Sequence, residues 1–318
     1  MKRVLMLILA LMMCLTLVAC GSEPKKSGSL TFTTGSDTGT YYAFGNVMGD
    51  KVSNTSDTHV TVISSKGSQA NIEALMAGNA DIGFVQSDVM AYCYNGTRLF
   101  TETGAVTTFS VVAAMYLEQV QIVTLDPSIK SVADLAGKRV SIGATGSGVY
   151  YNAMDILGAY GLTEADIIPA FYNFSETIEA LRDGQIDVGF VVAGAPTNAV
   201  TSLTTTNDVY LVSLDDEHIS ALVASSPYYA KNTIGFEVYG TLEDVITVGI
   251  SAVVIASDSA SEDDVYNFIS SIFNNLGTLE HDKTKEVSLD FAASVTDVPY
   301  HPGAARYFSE RGFTVPTK

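Results

Sequence analysis

Short apolar runs alternate with amphipathic stretches along this chain, which predicts strands joined by helices. The strand-like runs are 30–34, 59–63 (where Val and Thr alternate), 81–85, 140–142, 187–192 and 209–212. Helix-period stretches occupy 41–52, 69–77, 150–159 and 176–182, and a shorter one over 131–137 leads into the strand at 140–142. Two apolar segments, 109–116 and 120–124, lie between the halves and read as a first crossing; 247–256 reads as the return crossing. Beyond it the spacing predicts helices over 262–276, 283–291 and 303–312, packed back on the first half. Strands alternating with helices indicate an α/β fold with parallel sheets.

The pattern is written twice. Asn71 to Val85, NIEALMAGNADIGFV, matches Thr177 to Val191, TIEALRDGQIDVGFV, at nine of fifteen positions. In both, a helix ends at a glycine (Gly78, Gly184) and a buried strand D-[IV]-G-F-V follows. Upstream of each copy stands a second matched stretch. TGSDTGTYY begins at Thr34 and TGSGVYY at Thr145; both read T-G-S and then G-x-Y-Y. Two similar halves facing one another make a cleft.

The two Gly loops follow strands and open helices. Glycines let the backbone approach a ligand, and a helix N-terminus offers N–H groups without internal partners. Such a loop is a site for an anion such as a carboxylate; an ordinary N-cap by Ser147 is the plainer alternative. Ser68 is a plausible N-cap of the helix after Lys66. Gln86-Ser87-Asp88 stands at the C-terminal end of a buried strand, where open α/β sheets bind ligands. The matching segment, Ala193-Gly194-Ala195-Pro196, is small and leaves room for one. One ring of each pair, Tyr41/Tyr42 and Tyr150/Tyr151, is expected in the cleft; spacing does not select which.

Composition places the chain. It has 318 residues, 47% hydrophobic and 16% charged, enough for two domains with a large core. Lys2 and Arg3 precede an apolar stretch over 4–18 that is too short for a membrane span, and Leu17-Val18-Ala19-Cys20 follows. This reads as a lipoprotein signal over 1–19, with Cys20 lipidated and 20–29 a polar tether. Cys93 is expected to be a small buried hydrophobe. The net charge of −18 argues against nucleic acid and anionic lipid as partners.

No G-x-S-x-G, Walker loop or complete G-x-G-x-x-G is present, and the four histidines are scattered without metal-ligand spacing. Asp81 and Asp187 stand at equivalent strand starts, which favours a role in the fold over acid–base work. No catalytic residue, metal or cofactor is expected.

Taken together, the Gly-Tyr loops, S-x-x-N-I-E-x-L, G-x-A-D-I-G-F-V-Q-S-D, D-L-A-G-K-R-V-S-I-G-x-x-G-S-G, D-G-Q-I-D-V-G-F, A-G-x-P and H-P-G-A-x-R-Y resemble the TAXI family. These are extracytoplasmic solute receptors of tripartite ATP-independent periplasmic (TRAP) transporters. The resemblance implies a two-lobed periplasmic-binding-protein type II fold with a hinge and a ligand cleft, lobe I being 30–115 plus 248–318 and lobe II 116–247. It implies a non-enzymatic, monomeric receptor, lipid-anchored to the membrane at Cys20. The receptor closes on a small-molecule solute, a glutamate-like amino acid or dicarboxylate, and delivers it to TRAP permease subunits. Carried onto this chain, the ligand contacts are Gly39, Thr40 and Tyr41 or Tyr42; Ser65 and Ser68; Gln86 and Ser87; Thr145, Ser147, Gly148 and Val149; and Gly194 and Pro196. Val149 stands where the family usually has a small polar residue, removing one hydroxyl. A sensor input module or an extracytoplasmic enzyme on the same fold is the alternative.

Overall fold

The computed structural model of the protein describes residues 28–318; the expected signal segment, Cys20 and the tether up to residue 27 lie outside them. The first copy of the repeat runs β1 (Ser29–Thr33), α1 (Thr40–Thr55), β2 (His59–Ile63), α2 (Ser68–Met76), β3 (Ile82–Gln86) and α3 (Ser87–Asn95). After β4 (Phe109–Thr124) the second copy gives β5 (Arg139–Ser141), α4 (Gly148–Ala159), β6 (Ile168–Ala170), α5 (Phe174–Arg182), β7 (Val188–Ala193) and α6 (Asn198–Thr204). β1 pairs in parallel with β2 and β3, and β5 in parallel with β6 and β7, so the copies share one topology.

The duplication extends to single side chains. Asp81 Oδ2 accepts from the Thr31 N–H at 2.9 Å, and Asp187 Oδ2 from the Arg139 N–H at 2.8 Å. Each carboxylate ties the start of one parallel strand to its neighbour, which is the fold role expected of this pair. Asn71 on α2 hydrogen-bonds Thr33, and Thr177 on α5 hydrogen-bonds Ser141, both at 2.7 Å. The glycine of the repeated D-[IV]-G-F-V motif has a steric reason in each copy. A Cβ at Gly83 would crowd Thr33 Cγ2, and one at Gly189 would strike Thr177 Cγ2.

The remaining elements are β8 (Tyr210–Leu211), α7 (Asp216–Ser225), β9 (Ala230–Ile234), the one-turn α8 (Phe236–Tyr239), β10 (Val245–Ser257), α9 (Glu262–Phe273), the one-turn α10 (Leu289–Ala292) and α11 (Pro302–Ser309). The long strands β4 and β10 pair antiparallel from Phe109↔Ser257 to Gln119↔Gly249. β10 pairs with β3 over Ala252 to Ala256, and β4 pairs with β7 over Gln119 to Thr124. The ribbon thus passes through both lobes, joining them near Tyr116 to Gln119. Hydrophobic cores lie on either side of that point. One draws on Phe32, Phe84, Tyr116, Phe268 and Tyr307; the others draw on Val140, Ile156, Val188, Leu203 and Leu222.

Several elements differ from the sequence expectation. Segments 109–116 and 120–124 form one continuous strand, because Leu117 to Gln119 keep pairing with β10. Segment 283–291 is not one helix but a 3-10 turn, Asp282–Glu286, an extended Val287 and then α10. Lys283 is drawn into the interior there, and His281 Nδ1 and Ser288 Oγ each cap a separate turn. Segment 131–137 is likewise a 3-10 turn, Val132–Leu135, closed by a Ser131/Asp134 capping box.

Candidate functional site

Where the lobes meet, four helices turn their N-termini toward one cavity of about 50 Å³. From the first lobe come Gly39, Thr40 and Tyr41 at the start of α1, and Gly67 and Ser68 at the start of α2. From the second come Ser147, Gly148 and Val149 at the start of α4, and Asn173 and Phe174 at the start of α5. The duplication explains the symmetry: α1 and α4 are equivalent, as are α2 and α5. Each helix end brings N–H groups unspent within its own helix and the positive end of its dipole. Ser65, Lys66 and Gln86 complete the wall from the first lobe, and Glu118 of β4 completes the floor.

The lobes are closed on this cavity. The Ala70 N–H donates to the Gly146 carbonyl at 3.1 Å, the Ala199 N–H to the Thr38 carbonyl at 3.1 Å, and Thr40 Oγ1 to the Gly194 carbonyl at 2.8 Å. Tyr151 O–H donates to Gln69 Oε1 at 3.1 Å, and Arg98 forms two bonds to Asp155, at 2.6 and 2.8 Å. Each of these pairs has one member in each lobe.

The loops work differently from their sequence reading in two places. Ser147 is the N-cap residue of α4, but its Oγ accepts no backbone N–H; it is buried without a partner. Its own N–H is spent on the Ala144 carbonyl at 2.9 Å, so the first-turn donors left to this helix are those of Gly148, Val149 and Tyr150. Ser68 is not an N-cap; Gly67 holds that position, at φ +112°, and Ser68 Oγ accepts from the Gln86 N–H at 3.1 Å. Gly148 has no room for a side chain, because a Cβ would overlap Gln86 Oε1.

Of the residues expected in the site, Gly39, Thr40, Tyr41, Ser65, Ser68, Gln86, Ser147, Gly148 and Val149 line the cavity. Tyr42, Ser87, Thr145, Gly194 and Pro196 do not. Thr145 and Pro196 are exposed, and Gly194 is buried against Thr40 and Lys283. Val192 and Ala193 make the far wall that Gly194 and Pro196 were expected to complete. In the tyrosine pairs, Tyr41 faces the cavity and stacks on Phe84 with ring centroids 4.5 Å apart. Tyr151 spans the seam to Gln69, while Tyr150 donates to Glu164 of its own lobe.

Sequence reasoning did not find Glu118, Asn173, Phe174 or Lys283. Glu118 is buried, and Tyr41 O–H donates to its Oε2 at 2.9 Å. Burial pushes its carboxyl up to about 8, and the Tyr41 bond offsets part of that rise. Asp88, buried behind Gln86, is likewise pushed up by burial, to about 7. Lys283 reaches the seam from the C-terminal segment and pairs with Glu286 at 2.6 Å. A signal for Asn173 was present: N-F-S-E reads as a capping box, and Asn173 and Glu176 do form one.

A family model described as the NMT1-like family matches residues 32–312. Among solved structures, the chain is similar to the alkanesulfonate-binding protein SsuA from Xanthomonas axonopodis pv. citri bound to MOPS. That match has 16% identity, 89% of this chain and 84% of the other covered, and a TM-score of 0.52. A Bordetella bronchiseptica RB50 protein matches at 15% identity over 82% and 76% of the two chains, with a TM-score of 0.53. An ancestral arginine-binding protein bound to arginine matches at 14% over 81% and 97%, with a TM-score of 0.51. These likenesses carry the architecture, a two-lobed periplasmic-binding-protein type II fold.

Proposed function

The chain belongs to the NMT1-like family, and from that premise we propose that it is an extracytoplasmic solute receptor that closes on a small carboxylate-bearing solute. The observation that carries this reading is the convergence of four helix N-termini, two from each lobe, on one cavity. A cavity walled by both halves binds by closure. The solute stabilises the closed state to the extent that it contacts both walls at once. The N-terminal ends supply positive potential for an anion where the chain as a whole is strongly acidic.

The finer parts of the proposal rest on sequence. The order and number of motifs shared with the TAXI family favour TRAP permease subunits as the membrane partner. The Leu17-Val18-Ala19-Cys20 run favours a lipid anchor at Cys20. A glutamate-like amino acid or a dicarboxylate fits a cavity in which helix ends meet hydroxyl and amide side chains. The fold relatives bound to MOPS and to arginine are compatible with a small-solute role.

Native mass spectrometry of the purified protein, followed by denaturation, tests the reading. The expected result is release of a carboxylate-bearing solute, and a higher melting temperature when amino acids or organic acids are added. An empty protein whose melting temperature rises with no member of either class overturns it.

A further inference from the structure

Asp88 stands in the first turn of α3, in the first lobe, and is completely buried. Part of its cover comes from the second lobe. Asn152 of α4 donates from Nδ2 to Asp88 Oδ2 at 2.9 Å and to the Tyr229 oxygen at 3.1 Å, and both of these residues are buried in turn. On its own helix, Asp88 Oδ1 accepts from the Val89 N–H at 2.7 Å. The titratable groups that face it are Asp155 and Tyr151 on α4, Tyr228 and Tyr229 ahead of β9, and Glu118 on β4. None of them is a cation. Glu73 of α2 acts on Cys93, further along α3. Arg98, at the rim, donates twice to Asp155, and Lys283, which acts on Glu118, pairs with Glu286. Among the described residues no Lys, Arg or His pairs with Asp88. A carboxylate removed from water without a cation beside it is costly, and such a group holds its proton instead. Burial pushes the Asp88 carboxyl up to about 7; the Val89 N–H offsets part of the rise and the Asp155 carboxylate adds to it.

We infer that a proton is the second ligand of this receptor: as the lobes close over a solute, Asn152 and Tyr229 shut Asp88 away from water, and its carboxylate takes up one proton from the solvent. The inference rests on the receptor reading for the solute and on the seam itself for the proton. When the lobes part, Asn152 and Tyr229 withdraw with the second lobe, water returns to Asp88, and the proton leaves. The acid form keeps acceptor lone pairs for the Val89 and Asn152 bonds, so the closed seam holds together with the proton in place. Linkage then fixes the sign. The closed form binds the proton and the open form does not, so lower pH favours closure, and a solute of constant charge binds more tightly as pH falls. The gain is nil well above pH 7 and approaches tenfold for each pH unit below it, down to the ordinary carboxyl value of 3.8. Asp88 does not line the cavity, so this proton is bound apart from the solute.

Calorimetric titration of the purified protein with L-glutamate and with 2-oxoglutarate, at pH 6 and pH 8.5 and in buffers of different ionisation enthalpy, counts the protons taken up on binding. The wild-type protein is expected to bind about tenfold more tightly at pH 6 than at pH 8.5, and at pH 6 to take up about one proton more than Asp88→Asn. Asp88→Asn, neutral throughout, is expected to bind more tightly than the wild-type protein at pH 8.5; a purely structural role for Asp88 would weaken the variant at every pH. Equal proton counts and equal pH dependence in the two proteins overturn the inference and leave the receptor reading intact. Small-angle scattering of the ligand-free chain decides where neither probe binds. A smaller radius at pH 6 than at pH 8.5, with Asp88→Asn at the smaller radius throughout, supports the proton site while counting against the receptor reading; a radius that does not change with pH then overturns the inference. Should Asp88→Asn fail to melt cooperatively, Asp88→Ser replaces it in both measurements.

Discussion

Glu118 occupies the point on β4 where the chain leaves one lobe for the other, and Tyr41 O–H, from the first lobe, donates to it. Burial raises its carboxyl to about 8, against 4.5 for an ordinary glutamate, and raises Asp88 to about 7 from 3.8. Between the ordinary and the raised values the folded chain holds protons that the unfolded chain has released. Stability contributed by these groups is therefore full at low pH, falls as pH rises through that window, and levels off above about 8. His281 and His301 carry the opposite sign, since burial lowers both; their contribution is lost as pH falls below the ordinary histidine value of 6.5. A comparison of variants separates the two. Melting temperatures near pH 5 and near pH 8.5 should differ less in Glu118→Gln than in the wild-type protein, by on the order of a few degrees. An unchanged difference would mean that Glu118 does not titrate in this window.

At the scale of elements, the repeated unit β1-α1-β2-α2-β3 and β5-α4-β6-α5-β7 depends on close approach of a helix to the strand it covers. Gly189→Ala should cost about 1–3 kcal/mol in a urea unfolding curve, because the new methyl has to displace Thr177 from α5. A loss below about 0.5 kcal/mol would show that α5 yields without strain. The repeat itself was legible, since its strands carry continuous apolar runs and its helices end at Gly78 and Gly184, both at positive φ. The four helix ends at the cavity were legible for the same reason, through Gly-rich loops after strands. What was not legible depends on distant partners. Lys283 reads as a solvent-facing lysine until Glu286 and the Tyr116 ring are placed around it. Glu118 reads as a strand-surface residue until β10, Tyr41 and Gln86 enclose it. The segment 283–291 has helical spacing, but two local caps and one buried lysine divide it.

For the whole molecule, closure brings together surfaces that no single lobe contains. The pair between Arg98 and Asp155 fastens the rim, with side chains 46% and 15% exposed, and so should be worth little more than about 1 kcal/mol. Arg98→Gln is expected to lower affinity for every ligand by the same few-fold factor, without altering the choice among them. Small-angle scattering of the ligand-free variant should give a larger radius than the wild-type protein; an unchanged radius together with unchanged affinity would remove the pair from the closing step. The path of β10 has a consequence of another kind. Apart from Tyr151, apolar residues of one core are gathered from Leu30 to Tyr116 and again from Ala252 to Phe308, while the other cores lie between Val120 and Ile250. As the chain emerges from the ribosome, the middle portion can assemble on its own, whereas the first portion must wait for the last. Until α9 arrives, Phe32 has no cover from the Phe268 ring that meets it edge-on. The order of synthesis thus keeps one half of the molecule open until the chain is nearly complete.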